Sequence, residues 1–365
     1  MHPRRAAWRG PAAGKAAINS GNPGAGGAGA AAIRYSRLAA MPLAPNGSPF
    51  TRARKLTLAI TALAYAAAAA ALYGAIDDHA LRATLSLPMS LLAALLGLSL
   101  ASYALRAWRW IHLTGSLGLR VPPVDNLVYY LAGYSLTPTP GKAGEAIRLW
   151  LLKRAHAVPI SRTLPIMLAD IVVDLWAVLL LAAACMSGFA QYRWYGVALG
   201  ALVLALSVPI LFPRRFRPLL NAGYRAVPRA GRALARIRQL MNAMGELSGW
   251  RTYGLTLLPT LAAWLALGAA FHLLLEHLGT GVGFASAVFV FSFSTLVGSA
   301  SMLPGGLGST EASLVLLLRF LGVDLGTAIA ATAIIRLTTL WFAVAIGLAL
   351  MPLAVKTSAT PQPAL

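Results

Sequence analysis

The sequence predicts an all-α polytopic membrane protein with about six full spans plus two re-entrant or broken helical segments arranged as an inverted repeat. Three observations carry that prediction. The 365 residues are 58% hydrophobic and 11% charged, with a mean hydropathy of +0.69, which is about half the charge a soluble domain uses to cover its surface. Six apolar runs reach the roughly 20 residues that a helix needs to cross the hydrocarbon core. Two further apolar stretches break at Pro-Gly turns before they can cross.

The first 55 residues carry nine Lys/Arg and no acid, with Gly/Ala/Pro-rich stretches such as Asn22-Pro23-Gly24-Ala25-Gly26-Gly27. Such a composition cannot bury a core, so 1–55 is expected to be a disordered basic segment. Its Arg-rich start imitates a transit peptide, although Met41-Pro42 with a short basic lead-in would serve equally as the true start. A transmembrane domain is expected over 56–352, and 353–365 forms a C-terminal tail.

The full spans are expected near 56–76, 87–105, 163–186, 195–212, 252–275 and 326–352. If they alternate in that order, the basic segments before residue 56, around Arg106 to Arg120, at Lys142 to Arg162 and in the loop 213–251 fall on one side. The opposite loops lack a basic excess, so the basic side is expected to be cytoplasmic, with both termini there and the chain multi-pass in a bacterial inner membrane. Lys+Arg outnumber Asp+Glu by 31 to 10. Because these charges are confined to interspan segments, they point to topology and anionic headgroups, and no nucleic-acid partner is expected.

The first short stretch, 124–136, runs into Thr137-Pro138-Thr139-Pro140-Gly141-Lys142-Ala143-Gly144-Glu145. The second, 284–302, runs into Leu303-Pro304-Gly305-Gly306-Leu307-Gly308-Ser309-Thr310-Glu311. Irregular backbone at membrane depth is tolerated only where protein or a wet cavity surrounds it. Paired interruptions of this kind are the mark of a transporter built from inverted repeats, with the binding site between them. The bland alternative is that two Pro-Gly turns join ordinary hairpins and that Glu145 and Glu311 face water.

Of the ten acids, Asp77, Asp78, Asp125, Glu246, Glu276 and Asp324 fall in or beside loops and are read as solvated. Glu145, Asp170, Asp174 and Glu311 remain. Asp170 and Asp174, four apart inside one apolar run, put two carboxylates on one helical face. Charges within a span usually face a partner or a cavity. Either the pair couples transport to protons, or it forms a structural ion pair with Arg148, Arg162 or Arg336.

The cationic counterpart is Arg106-Ala107-Trp108-Arg109-Trp110, with Arg148 and, deep in the last apolar run, Arg336. Guanidinium groups recognise phosphate bidentately, so Arg106, Arg109, Arg148 and Arg336 are candidate substrate-binding residues. For Arg106 and Arg109, simple anchoring at the interface is an equal alternative. Pro140, Gly141, Gly144, Glu145, Pro304, Gly305, Gly306, Gly308 and Glu311 are candidate re-entrant and gating residues. No phosphate-binding loop, zinc helix or nucleophile elbow is present, so no catalytic residue, metal or cofactor is assigned. Cys185, the one cysteine, is read as packing.

Taken together, Arg106-Ala107-Trp108-Arg109-Trp110, Pro140-Gly141-x-x-Gly144-Glu145-x-x-Arg148, Asp174, Pro304-Gly305-Gly306-x-Gly308-x-x-Glu311 and Arg336 resemble a known family. It is the flippase-like transmembrane region of the bacterial lysylphosphatidylglycerol synthase/flippases, many of whose members stand alone without the synthase domain. The resemblance implies a helical bundle with re-entrant elements and a role in lipid translocation or export of lipid-linked material. One departure stands out. Where the family often has Glu-Arg ahead of the aspartate, this chain has Asp170-Ile171, which leaves Asp170 and Asp174 needing another cationic partner. Thirteen residues follow Pro352, so lysyl transfer is not expected of this chain.

Three function classes stay open on these residues. The first is a transporter for an anionic membrane lipid or lipid-linked phosphate. The second is a lipid-binding scaffold whose Arg-rich loop 213–251 recruits membrane biosynthetic partners. The third is an intramembrane lipid transferase using one of the carboxylates as base. The sequence names neither the lipid nor the oligomeric state.

Overall fold

The computed structural model describes residues 87–138, 143–187, 193–211, 250–301 and 303–359. They all belong to one compact unit, Thr57–Leu365. The expected basic segment 1–55, the first expected span 56–76 and nearly all of the loop 213–251 lie outside the described residues.

The described elements are helical, with no strand among them. In chain order they are α1 (Met89–Ser116), α2 (Pro123–Ala132) with a 3-10 turn at Gly133–Leu136, α3 (Ala143–His156), α4 (Ile160–Ser187) and α5 (Arg193–Leu211). There follow α6 (Trp250–His277), α7 (Phe284–Ala300), a 3-10 turn at Pro304–Gly306, α8 (Ser309–Phe320), α9 (Leu325–Arg336) and α10 (Phe342–Ala359). A π-helical turn, Leu337–Trp341, joins α9 to α10 without a break.

Local signals place the ends. The C-terminus of α1 closes on Gly118, whose φ of +69° is open to glycine, with Gly118 N–H donating to Gly115 C=O at 2.9 Å and Leu119 N–H to Thr114 C=O at 3.3 Å. Pro122-Pro123 opens α2, where a missing N–H costs nothing. Asp324 caps α9 by accepting the Thr327 N–H at 2.9 Å, so this acid, expected to be merely solvated, has a structural task.

Four helical stretches are long and apolar enough to cross a membrane: Met89–Ser116, Arg162–Met186, Arg251–His277 and Leu325–Ala359. They correspond to four of the six expected spans. A fifth expected span coincides with α5, whose apolar part, Trp194–Ala205, is shorter. Of the two short stretches, the second is the 17-residue α7, which ends just before the Pro304-Gly305 turn, and the first is the short α2 with its 3-10 turn, whose Pro140-Gly141 continuation lies outside the described residues.

The core divides into two clusters. One gathers Leu95 of α1, Ala177 to Leu181 of α4, Trp264 to Leu275 of α6, and residues of α7, α8 and α9. The other gathers Ala107 to Leu113 of α1, residues of α2 and α3, Ile166 to Trp176 of α4, Tyr253 of α6 and Ala354 of α10. The long helices α1, α4, α6 and α9–α10 therefore pass through both. Helices α1 and α9–α10 run from the first cluster to the second, and α4 and α6 run the opposite way. Each broken hairpin belongs to a single cluster, α2–α3 to the second and α7–α8 to the first. The two hairpins thus pack in different clusters.

Candidate functional site

A set of charged and polar side chains of the long helices collects at the level where one apolar cluster gives way to the other. On α1 these are Arg106 and Arg109, on α4 Asp170 and Asp174, on α6 Thr260 and Trp264, and at the end of α9 Arg336. The i,i+3 and i,i+4 spacings turn each pair inward on one helical face.

Arg109 is the centre of the larger network, and its side chain has no solvent exposure. Its Nε donates to Asp170 Oδ1 at 2.8 Å and its Nη1 to Asp174 Oδ1 and Thr260 Oγ1, both at 2.8 Å. Nη2 also lies 2.6 Å from Asp170 Oδ1. A guanidinium and two carboxylates in apolar surroundings can remain ionised only when their charges and lone pairs are met in this way. Arg148 approaches the other oxygen of Asp170 at 3.6 Å, donates from Nε to the Tyr130 carbonyl at 3.1 Å, and lies over the Tyr130 ring at 3.8 Å. It thereby ties α3 to both α2 and α4.

The edge of the network is more open. Asp174 keeps 28% of its side-chain surface exposed and Arg106 keeps 13%. Arg106 Nη1 reaches Asp174 Oδ2 at 3.3 Å, its guanidinium lies 4.2 Å over the Trp264 ring, and its Nε is buried without a hydrogen-bond partner. Trp264 Nε1 donates to Asp174 Oδ1 at 3.3 Å. Three arginines against two aspartates leave these five side chains with one excess positive charge.

The cationic partner missing after Asp170 is therefore supplied from α1. Of the three partners the sequence suggested, Arg148 joins the network and Arg336 pairs elsewhere. Arg162 makes no ion pair among the described residues. Interface anchoring does not describe Arg109, which is wholly enclosed.

The smaller network belongs to the second broken segment. Arg336 Nε donates to Glu311 Oε1 at 2.7 Å and Nη2 to the Gly305 carbonyl at 3.1 Å, while Glu311 Oε2 is buried without a partner. Arg336 thus clamps the turn and the helix that follows it. Gly305 has φ +60°, and a Cβ placed there would come within 3.3 Å of Pro138 Cα and 3.5 Å of the Thr137 carbonyl. The tips of the two broken hairpins meet at this point.

Close packing explains Gly144 and Gly306, and a positive φ explains Gly308. In the first hairpin a Cβ on Gly144 would fall 2.5 Å from the Gly133 carbonyl, and one on Gly133 would strike the Arg148 side chain. In the second hairpin a Cβ on Gly306 would lie 2.8 Å from Thr310 Oγ1 and 3.0 Å from Gly298 Cα. Gly308, at φ +80°, precedes α8 with open space around it. Glu145 lies in the first turn of α3, and Pro304 opens the second 3-10 turn. Pro140 and Gly141 lie outside the described residues.

Sequence reasoning missed Thr260, Trp264 and the Tyr130 carbonyl. Thr260 and Trp264 sit four apart in an apolar span, a polar spacing that repeats the Asp170/Asp174 pattern. The Tyr103 hydroxyl, which donates to the Thr339 carbonyl in the π turn, was also unforeseen. A π turn lengthens the helical hydrogen bonds and leaves carbonyls for such donors.

Residues 55–347 match the family described as the lysylphosphatidylglycerol synthase TM region. Two proteins of Methanothermobacter thermautotrophicus (strain Delta H), each described as a UPF0104 membrane protein, are also similar. One is 24% identical over 275 residues, covering 68% of this chain and 81% of the relative. The other is 24% identical over 283 residues, covering 73% and 84%. With the matched region holding both broken hairpins and every member of the two ion networks, this multi-pass membrane protein belongs to the lysylphosphatidylglycerol synthase transmembrane-region family.

Proposed function

We propose that the chain is a flippase-like transporter, in which an anionic lipid headgroup or a lipid-linked phosphate passes between the two broken hairpins. The observation that carries this reading is the meeting of the Gly305 and Pro138 turns beside the Arg336–Glu311 clamp. Hairpins from different clusters that touch at their tips form a barrier between two half-channels, the arrangement that alternating access requires.

In this reading Arg109 and Arg148 hold the framework around Asp170 while also making the site positive. Arg106, with an unpartnered Nε and a place at the open edge, is the first to engage a phosphate. Doing so would draw it from Asp174 Oδ2, leaving that oxygen open to a proton while Oδ1 keeps Arg109 and Trp264, which is how the pair would couple transport to proton movement. A phosphate that competed with Glu311 for Arg336 would then release the Gly305 turn from its clamp. The basic interspan segments support an inner-membrane orientation with cytoplasmic termini.

Leaflet exchange of fluorescent lipids with varied headgroups, measured in proteoliposomes with a leaflet-selective quencher, tests the reading. Exchange of anionic lipids by the parent protein, reduced at least about tenfold in Glu311→Gln and Arg336→Ala, is the expected result, since each removes a charged hydrogen bond. No exchange of any anionic lipid, or exchange indifferent to both substitutions, would refute it. Persistence of transport and its pH dependence in Asp174→Asn would remove the proton-coupling step alone.

A further inference from the structure

A second basic site stands apart from the two networks, where the α1–α2 and α3–α4 connections come together. A pocket of about 260 Å³ opens there, lined by Gly118, Arg120, His156, Ala157, Arg162 and neighbouring apolar residues. That volume lies just below the roughly 300 Å³ at which small-molecule pockets begin, which suits a headgroup rather than an acyl chain. No carboxylate lines it.

The cations around this pocket differ from the others. Arg106, Arg109, Arg148 and Arg336 are all engaged with carboxylates. Arg120 and Arg162 are exposed and, among the described residues, make neither an ion pair nor a side-chain hydrogen bond. His156 is only 3% exposed, and its Nε2 is buried with no hydrogen-bond partner. An enclosed imidazole nitrogen left unpaired is costly unless something supplies its partner. Burial pushes this imidazole below its ordinary range, with the Asp125 carboxylate opposing. The pocket also lies where the part of α4 long and apolar enough to cross a membrane begins, at Arg162.

We propose that this pocket binds a phosphate-class anion, as a membrane-lipid headgroup or as free phosphate, through Arg120 and Arg162, with His156 completing its hydrogen bonds. Two arginines, Arg120 from the α1–α2 connection and Arg162 from the first turn of α4, line one opening, the arrangement that gives phosphate charge-assisted hydrogen bonds from two sides. The positive N-terminal end of α4 adds to the same potential, whereas the carboxyl ends of α1 and α3 oppose it, so the arginines decide the sign. Binding here would pin the two connections together and hold the open ends of α1 and α4 at the headgroup layer. It does not depend on lipid exchange.

Hydrogen–deuterium exchange of the full-length protein in a maltoside detergent tests this, followed at residues 117–121 and 156–162. The probes are inorganic phosphate and dihexanoyl phosphatidylglycerol, with a short-chain diacylglycerol as the phosphate-free control. Slowed exchange in both segments is expected with phosphatidylglycerol and not with diacylglycerol. Equal protection by inorganic phosphate identifies a free-anion site, and protection by the lipid alone identifies a headgroup site. The exposed pair Arg120→Gln/Arg162→Gln should raise the half-saturating concentration about tenfold or more, because two charge-assisted contacts are lost. His156→Gln, which keeps a hydrogen-bonding group, should have the smaller effect. Protection of the double variant at the parent concentration, or no protection of the parent by either probe, would overturn the proposal.

Discussion

Replacing Arg109 by Met is expected to destabilise the bundle by about 3–5 kcal/mol, the usual consequence of removing one partner from a buried ion pair. Arg109 alone satisfies three oxygens at 2.8 Å, on Asp170, Asp174 and Thr260. Without it, Asp170 would keep only Arg148, at 3.6 Å in a buried setting, and Asp174 would keep Arg106 and Trp264, each at 3.3 Å at the more open edge. The reverse change is milder. Asp170→Asn keeps an acceptor for Arg109, which still holds Asp174 and Thr260, so the loss should be closer to about 1–2 kcal/mol. Combining Arg109→Met with Asp170→Leu should cost less than the sum of the two single changes, because the second removes a charge that the first has stranded. Equilibrium unfolding in mixed detergent micelles, followed by circular dichroism, gives these values together with that of Asp170→Leu alone, which closes the cycle. An Arg109→Met variant within about 1 kcal/mol of the parent, as for an exposed pair, would refute the reasoning. So would strict additivity of the double variant.

Two further outcomes follow from the geometry. Gly305→Ala should lower stability by about 1–2 kcal/mol and slow lipid exchange, because its φ of +60° is strained for any L side chain and a Cβ there would come within 3.3 Å of Pro138 Cα. Thermal melts and exchange of Gly305→Ala indistinguishable from the parent would show that the tip does not need glycine there. Asp324→Ala should lower stability by about 1 kcal/mol while Asp324→Asn keeps the cap. Hydrogen bonds from the Thr327 side chain and N–H hold the Asp324 carboxyl below the usual carboxylate range. A depressed folded value adds stability above the unfolded value and loses it as pH falls, so the gap between parent and Asp324→Ala should narrow on acidification below about pH 3.9. A gap that does not change between neutral and acid thermal melts would count against the cap.

Much of the architecture was legible because bilayer physics acts on local sequence. An apolar run long enough to cross must be a helix, since its N–H and C=O groups have no other partners in lipid. Pro-Gly turns end such a run at once, and the Pro304–Gly306 turn stands where α7 gives way to α8. The i,i+4 spacing of Asp170 and Asp174 likewise placed them on one face before any tertiary contact was known.

The pairing of those charges was a different matter. Arg109 finds Asp170 across 61 residues of chain, and Arg336 finds Glu311 across 25. Nothing in the spacing selects Arg109 over Arg162 or Arg336 as the partner of an aspartate, because a guanidinium seeks whichever carboxylate shares its buried layer. The tip contact at Gly305 and the convergence of Arg120, His156 and Arg162 depend in the same way on which helices lie side by side. The sequence by itself determined the membrane class, the breaks and the faces, each governed by interactions within a few residues. Only the tertiary structure decided which charges neutralise one another and which remain open to a ligand, because electrostatic pairing in a low-dielectric interior follows distance in space rather than along the chain.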